Sequence, residues 1–281
     1  MGLPKPGDRL PAMPAPMPPS PQGPPLSRLL LQAADAVGAV RAGRSLTEVL
    51  AACPAELRAG TQALAFHALR HLGAAEAARV ALAPKPPPAA VEALLVTALA
   101  LMWPSDDGRP PPYAEHTLVD QAVAAVRQRQ PALAAFVNAV LRRFGREQAA
   151  LVPQLRRQPV AAYNHPAWWI ERVRHDWPAL WQPLLAAANR HPPMGLRVNA
   201  RRGTAAAYVQ RLAAAGRAAT ACGAQAVWLA EPCPVHLLPG FADGDVSVQD
   251  AAAQRAAPLL IGAGLAPGAR VLDACAAPGG K

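Results

Sequence analysis

The chain has 281 residues, enough for two or more domains with a substantial buried core. Its formal net charge of +10 and sequence pI near 10.5 favour a polyanionic partner, nucleic acid before membrane. The most apolar run, residues 93–103, is too short to span a bilayer and predicts a buried helix. The N-terminus lacks a secretory signal, and the four cysteines lack disulfide-like spacing. We therefore expect a cytoplasmic protein with no membrane contact.

Residues 1–25 contain ten prolines and little that could build a core, so they are predicted to be a disordered tail. Residues 26–158 have a helical period throughout and predict an all-α domain. Within it, Ser45 and Glu48 have the spacing of a capping box, and Gly145 is predicted to end a helix.

Residues 159–245 predict a small α/β module, because segments with strand character alternate with helical ones. The expected elements are two helices within 165–190, strands at 195–200 and 226–230, and a helix at 204–216, with a further strand at 246–250 just past the boundary. Residues 246–281 read as the beginning of a further domain. In that segment we expect a helix at 251–264, a strand at 269–277 and then a glycine-rich loop.

Three groups of side chains have both a functional and a structural interpretation. Five arginines lie close together and either contact RNA or form a solvated helix face: Arg142, Arg143, Arg146, Arg156 and Arg157. Four tryptophans either stack on bases or, as we expect from their helical spacing, pack in the core: Trp168, Trp169, Trp177 and Trp181. His67 and His71 could share a metal, but no third ligand completes a known spacing, so we predict a partly buried helical pair and no metal site.

The sequence ends in "VLDACAAPGGK", an apolar run followed by an acid and a glycine turn. A strand that leads into such a turn presents backbone N–H groups that can hold a carboxylate or a phosphate. Taken alone, the pattern also fits a plain turn. A Walker loop is disfavoured, because Cys275 stands where that loop needs a glycine.

"LDACAAPGGK" resembles the S-adenosylmethionine loop of the RNA cytosine-C5 methyltransferases, a family with bacterial small-subunit rRNA enzymes and eukaryotic nucleolar members. "AFVNAVLRRF" and "HPAWWIERVRHDWPALW" extend the resemblance, which covers residues 28–281. It implies a multidomain fold: an all-α NusB-like domain, then a small α/β, RRM-like module, then the first helix and strand of an incomplete Rossmann-like methyltransferase domain.

The resemblance also implies ligands. S-adenosyl-L-methionine would be held by Asp273 and the loop that follows it, and Arg197 and Asn199 would lie near the RNA and the cofactor. The residues of that loop are Cys275, Ala276, Ala277, Pro278, Gly279, Gly280 and Lys281. The implied partner is 16S ribosomal RNA, and the protein is expected to be a monomer.

In this family a cysteine adds to C6 of the cytosine and so activates C5, and a second cysteine assists the breakdown of the adduct. Neither cysteine motif occurs in this sequence. Cys233 follows a proline but precedes the loop, so the nucleophile's role is not transferred to it. We therefore expect an N-terminal fragment that does not methylate. The rival interpretation is a non-catalytic NusB-like module for RNA binding or antitermination.

Overall fold

The computed structural model describes residues 23–104, 111–190 and 192–274. Within these ranges the chain forms two compact units, the first ending at Arg190 and the second beginning after it. The expected combination of many helices with a small sheet is confirmed. Nearly all of the predicted disordered tail lies outside the described residues. Among the described residues, no helix is long and apolar enough to cross a membrane.

The described part of the first unit consists of helices and short connections. Its α-helices are α1 (Leu26–Arg41), α2 (Leu46–Ala51), α3 (Ala55–Arg70), α4 (Leu72–Leu82), α5 (Ala89–Met102), α6 (Glu115–Arg129), α7 (Ala134–Leu155), α8 (Pro159–Tyr163), α9 (Ala167–Asp176) and α10 (Trp181–Asn189).

Helix α5 is the centre of the first unit, as the apolar run at 93–103 predicted. It contacts α1, α3, α4, α6 and α7. Leu95 and Leu99 are fully buried, because a helix that is apolar on all sides can satisfy every face only inside a core. Its single charged residue, Glu92, lies at the first turn, where its carboxylate is 3.0 Å from Arg79 and 3.7 Å from Arg41.

Two sequence predictions about helix ends are wrong. Gly145 does not end a helix but lies inside α7. The carboxylate of Glu115 in α6 occupies the space that a β-carbon at this position would fill. A glycine here permits close packing rather than a helix stop. Ser45 precedes α2 as expected, but its side chain makes no capping hydrogen bond.

The second unit is built on a four-stranded antiparallel sheet in the order β2-β3-β1-β4. Its strands are β1 (Met194–Val198), β2 (Ala219–Ala221), β3 (Ala226–Leu229) and β4 (Val246–Val248), and helix α11 (Ala205–Ala214) connects β1 to β2. Helix α11 covers one face of the sheet, where Leu196 and Val227 pack against Tyr208 and Leu212. The three-residue strand β2 was not predicted from the sequence.

Asp245 joins three parts of the second unit. Its carboxylate accepts hydrogen bonds from Arg211 of α11 at 2.9 Å and from Arg202 of the turn after β1 at 3.1 Å. Its backbone carbonyl accepts from the N–H of Asn199. The hydrogen bond from Arg211, and to a smaller extent the one from Arg202, lowers the pKa of the Asp245 carboxyl below its usual value.

The strand predicted at 269–277 does not form in its described part, residues 269–274. The helix predicted at 251–264 is shorter: a 3-10 turn at Ala253–Arg255 leads into α12 (Ala256–Gly262), which has no buried residue. Leu272 is 88% exposed. A strand needs a neighbour for its backbone hydrogen bonds, and no described strand pairs with this segment.

The burial of α5 predicts a large effect of shortening its side chains. Leu99→Ala should lower the free energy of unfolding by about 2–5 kcal/mol, because it removes buried contacts and leaves a cavity. Urea unfolding measures the difference. The matched control is Leu184→Ala, since Leu184 is 43% exposed and its truncation should change the stability far less. Equal losses for the two variants would contradict the assignment of α5 as the core.

Asp245→Asn should remove a pH-dependent part of the stability. Because the folded-state pKa of Asp245 is lowered, its stabilisation is present above the unfolded pKa of about 3.9 and is lost as the pH falls through the folded value. The wild type should therefore be more stable than the variant at neutral pH, and the gap should close in acid. Urea unfolding across this pH range, with Asp243→Asn as control, measures it. A gap independent of pH would refute the ion-pair explanation.

Candidate nucleic-acid interface

The arginines of α7 are exposed but partly neutralised. Arg142 donates from Nε to Asn138 at 3.0 Å, and its Nη2 is 3.6 Å from a carboxylate oxygen of Asp120. Arg143 donates to Glu147 at 2.9 Å, and this hydrogen bond lowers the pKa of the glutamate. Glu147 lies on α7 itself, and α6 supplies a second opposing charge through Asp120.

Because α7 continues past Gly145, the arginine run lies on one continuous helix and its C-terminal cap. Arg142 and Arg146 are four residues apart and therefore share a face. Arg156, the C-cap residue, and Arg157 are also exposed. At 1.5 Å per residue, the run from Arg142 to Arg156 extends over about 21 Å. This length matches several phosphates of an extended strand.

Arg197 and Asn199 lie close together in the sequence but differ in their contacts. Arg197 is in the middle of β1, on the face opposite α11, and donates to the side-chain oxygen of Gln249 at 3.4 Å. Asn199 uses its side chain inside its own turn, donating to the carbonyl of Gly244 and accepting from the N–H of Arg201. The structure thus gives Asn199 contacts that stabilise a turn, and Arg197 a position at a surface groove.

The groove beside Arg197 has a volume of about 710 Å³. Its floor is the open sheet face and the loop before β3, and its wall is the segment from Ala251 to Leu259. Gln254 fixes that wall by donating to the carbonyls of Leu196 and Gln249, each at 3.1 Å. Two arginines and no carboxylate occur among the described lining residues, which are Arg197, Cys222, Gly223, Ala224, Gln225, Ala226, Ala251, Ala252, Gln254, Arg255, Pro258 and Leu259.

The cofactor loop predicted at Cys275–Lys281 lies outside the described residues. Asp273, the remaining member of that predicted site, lies in an exposed, irregular segment after α12. The described part of this segment does not form a cradle for a cofactor.

The described cysteines and the histidine pair have mainly structural surroundings. Cys53 is buried and donates to Thr61 at 3.7 Å, whereas Cys222 is exposed at the groove. The rings of His67 and His71 lie 4.9 Å apart. The pKa of His67 is lowered mainly by burial and, to a smaller extent, by the positive charge of Arg70. The described residues contain no group of three or more potential metal ligands.

The expectation that the tryptophans of α9 and α10 form a core is wrong for three of the four. Trp168, Trp169 and Trp177 are 66%, 41% and 57% exposed. Trp181 does pack, with its ring edge-on to Tyr163 at 5.0 Å. One side of α9, with Ile170 and Val173, packs against Leu185 of α10, and the exposed tryptophans lie outside this cluster. The helical spacing of the tryptophans did not show which side of the helix would be buried. Sequence reasoning also missed Trp228, a 45% exposed residue of β3.

Comparisons with known proteins agree with the resemblance found in the sequence. Residues 165–236 match the family model described as "Methyltr_RsmF/B-like, ferredoxin-like domain". The chain is 41% identical over 264 residues to ribosomal RNA small subunit methyltransferase B of Pseudomonas syringae pv. tomato, covering 89% of this chain and 56% of that protein. Its counterpart in Xylella fastidiosa is 43% identical over 249 residues, covering 85% of this chain and 56% of that protein.

The crystal structure of PH0851 has a similar fold, with a TM-score of 0.52 at 15% identity, covering 83% of this chain and 55% of that one. The chain spans a little over half the length of these relatives. Over most of its own length, the chain is a relative of the proteins named ribosomal RNA small subunit methyltransferase B, as the sequence resemblance predicted.

Proposed function

We propose that this chain belongs to an S-adenosyl-L-methionine-dependent methyltransferase that modifies C5 of a cytosine in 16S ribosomal RNA. The observation that supports this most strongly is the 41% identity, over 89% of the chain, to a protein named ribosomal RNA small subunit methyltransferase B. The net charge of +10 is of the sign that an RNA substrate requires.

In this proposal the helical residues 26–158 are a NusB-like domain that binds RNA. Residues 159–245 form the small module that comes before the catalytic domain in the sequence. The run of exposed arginines on α7 supports the first assignment, since a row of cations along one helix can follow a phosphate backbone. The match of residues 165–236 to a ferredoxin-like domain of methyltransferases supports the second. The protein would act as a monomer.

Residues 246–281 would begin the methyltransferase domain, with Asp273 and the loop Cys275–Lys281 holding the cofactor. When bound, S-adenosyl-L-methionine supplies the methyl group. The support for this assignment is the motif itself and the relatives' names, because the described part of the segment forms no cradle.

The chemistry also needs a cysteine that adds to C6, because C5 of cytosine alone is too weak a nucleophile for the methyl group. None of the four cysteines is assigned this role. Among the described ones, Cys53 is buried against Thr61, Cys222 is at the groove rim and Cys233 packs beside Met194. Cys275 belongs to the proposed cofactor loop. We therefore propose that residues 1–281 alone do not transfer a methyl group.

Disruption of the gene tests the proposed activity. Bisulfite sequencing of 16S rRNA from the disrupted strain should show the loss of one 5-methylcytosine, and the intact gene should restore it. A gene encoding only residues 1–281 should not restore it. Unchanged methylation after disruption would contradict the proposed function, and restoration by residues 1–281 would contradict the inactivity of this part.

The arginines of α7 predict the salt dependence of RNA binding. Arg142→Ala, Arg143→Ala and Arg146→Ala together should reduce the slope of log affinity against log salt by at most about 2, because each phosphate contact to a single strand contributes about 0.7. The pairing of Arg142 and Arg143 with acids should make the loss smaller than this limit.

The matched control is Glu147→Gln, which frees Arg143 from its carboxylate. This variant should bind RNA more tightly and with a steeper salt dependence, whereas the triple variant should bind more weakly. Fluorescence anisotropy across a salt titration measures both. If neither variant changes the slope, this helix does not contact the RNA.

A further inference from the structure

The open face of the sheet in the second unit has its own set of side chains. Because successive side chains of a strand point to opposite faces, Leu196 and Val198 face α11 while Gly195 and Arg197 lie on the other face. In β3, Val227 and Leu229 face the helix, so Ala226 and Trp228 share the open face with Arg197.

Trp228 and Arg197 are neighbours on this face. Arg197 is directly opposite Ala226 in the β1–β3 register, and Trp228 is two residues further along β3. Such diagonal neighbours are about 7–8 Å apart, within reach of a long or aromatic side chain. Trp228 stands opposite Thr220 of β2, which is also exposed. A large aromatic ring thus lies exposed beside a cation at the centre of a sheet.

The groove opens on the same face of the sheet beside Arg197, whereas Trp228 lies outside its lining, opposite Gly195 in the β1–β3 register. The second cation of the groove, Arg255, is exposed on the wall formed by Ala251–Leu259, and no acid occurs among the described lining residues. A guanidinium has five N–H donors, and the hydrogen bond from Arg197 to Gln249 uses one of them. Donors therefore remain at the groove for phosphate or base oxygens.

We infer that this open face binds one or two unpaired nucleotides of an RNA strand, with a base stacked on Trp228 and the adjoining phosphate held between Arg197 and Arg255. Sheets that present aromatic rings are a general means of binding single-stranded RNA, because every base offers a face for stacking. The two cations without an acid favour a phosphate-bearing strand over an apolar protein segment. The inference rests on the proposed function for its choice of partner.

Fluorescence anisotropy with a labelled 12-nucleotide single-stranded RNA of mixed sequence, titrated with the full 281-residue chain, tests the site. Trp228→Ala should weaken binding about 5- to 150-fold with an unchanged salt slope, because it removes stacking and no charge. Arg197→Ala and Arg255→Ala should each lower the slope by about 0.7. Trp228→Phe should retain most of the affinity, since a smaller ring still stacks.

The charge-matched control is Arg28→Ala, which removes one exposed arginine paired with Glu56 in the first unit and should change the affinity less than twofold. Thermal unfolding of every variant checks that the fold is intact. If the wild-type chain binds the RNA but Trp228→Ala and Arg255→Ala bind equally well, the groove inference is wrong while the proposed function stands. If Trp228→Ala leaves the RNA affinity unchanged but lowers the melting temperature, this face stabilises the protein and does not bind RNA. If the wild-type chain does not bind the RNA, the inference is wrong, whereas the proposed function is decided by bisulfite sequencing of the disrupted strain.

Discussion

The close approach of the backbone at Gln249 to Gly195 determines the architecture of the second unit. A β-carbon at Gly195 would lie 2.7 Å from the carbonyl oxygen of Gln249, so only glycine lets the chain leaving β4 cross the open sheet face there. The backbone N–H of Gln249 donates to the carbonyl of Gly195, and Gln254 then ties the crossing segment to β1. This crossing leaves a groove beside Arg197 and places Arg255 on its wall. The candidate binding surface therefore depends on one residue without a side chain.

The elements that the sequence predicted well are those whose periodicity reflects burial. The apolar run of α5 and the alternation in β1 are consequences of contact with a core, and both appear where expected. The failures have a common physical cause. Gly145 was interpreted by its backbone preference, but its role is set by Glu115 of another helix, and Trp168 and Trp169 were interpreted by spacing that does not show which side of α9 is covered. Such contacts between elements are not encoded in a local pattern.

The candidate site was predictable in part. The resemblance indicated Arg197, and the structure places it at a groove. Nothing in the sequence separates Arg197 from Asn199, whose side chain is used inside a turn. The groove and Trp228 required the register of β1 against β3, which no local pattern reveals. The acid partners of the α7 arginines were half predictable: Glu147 is four residues from Arg143, but Asp120 is brought to Arg142 by the packing of α6 on α7.

We propose that both units contact 16S rRNA, the first through α7 and the second through the open sheet face. Ultraviolet cross-linking in cells, followed by sequencing of the attached RNA and mass spectrometry of the attached peptides, tests this claim most directly. We expect 16S rRNA to be the main cross-linked RNA, with cross-linked peptides from α7 and from the sheet around Trp228. Cross-links to other RNAs, or to 16S rRNA only through peptides outside these two surfaces, would contradict it.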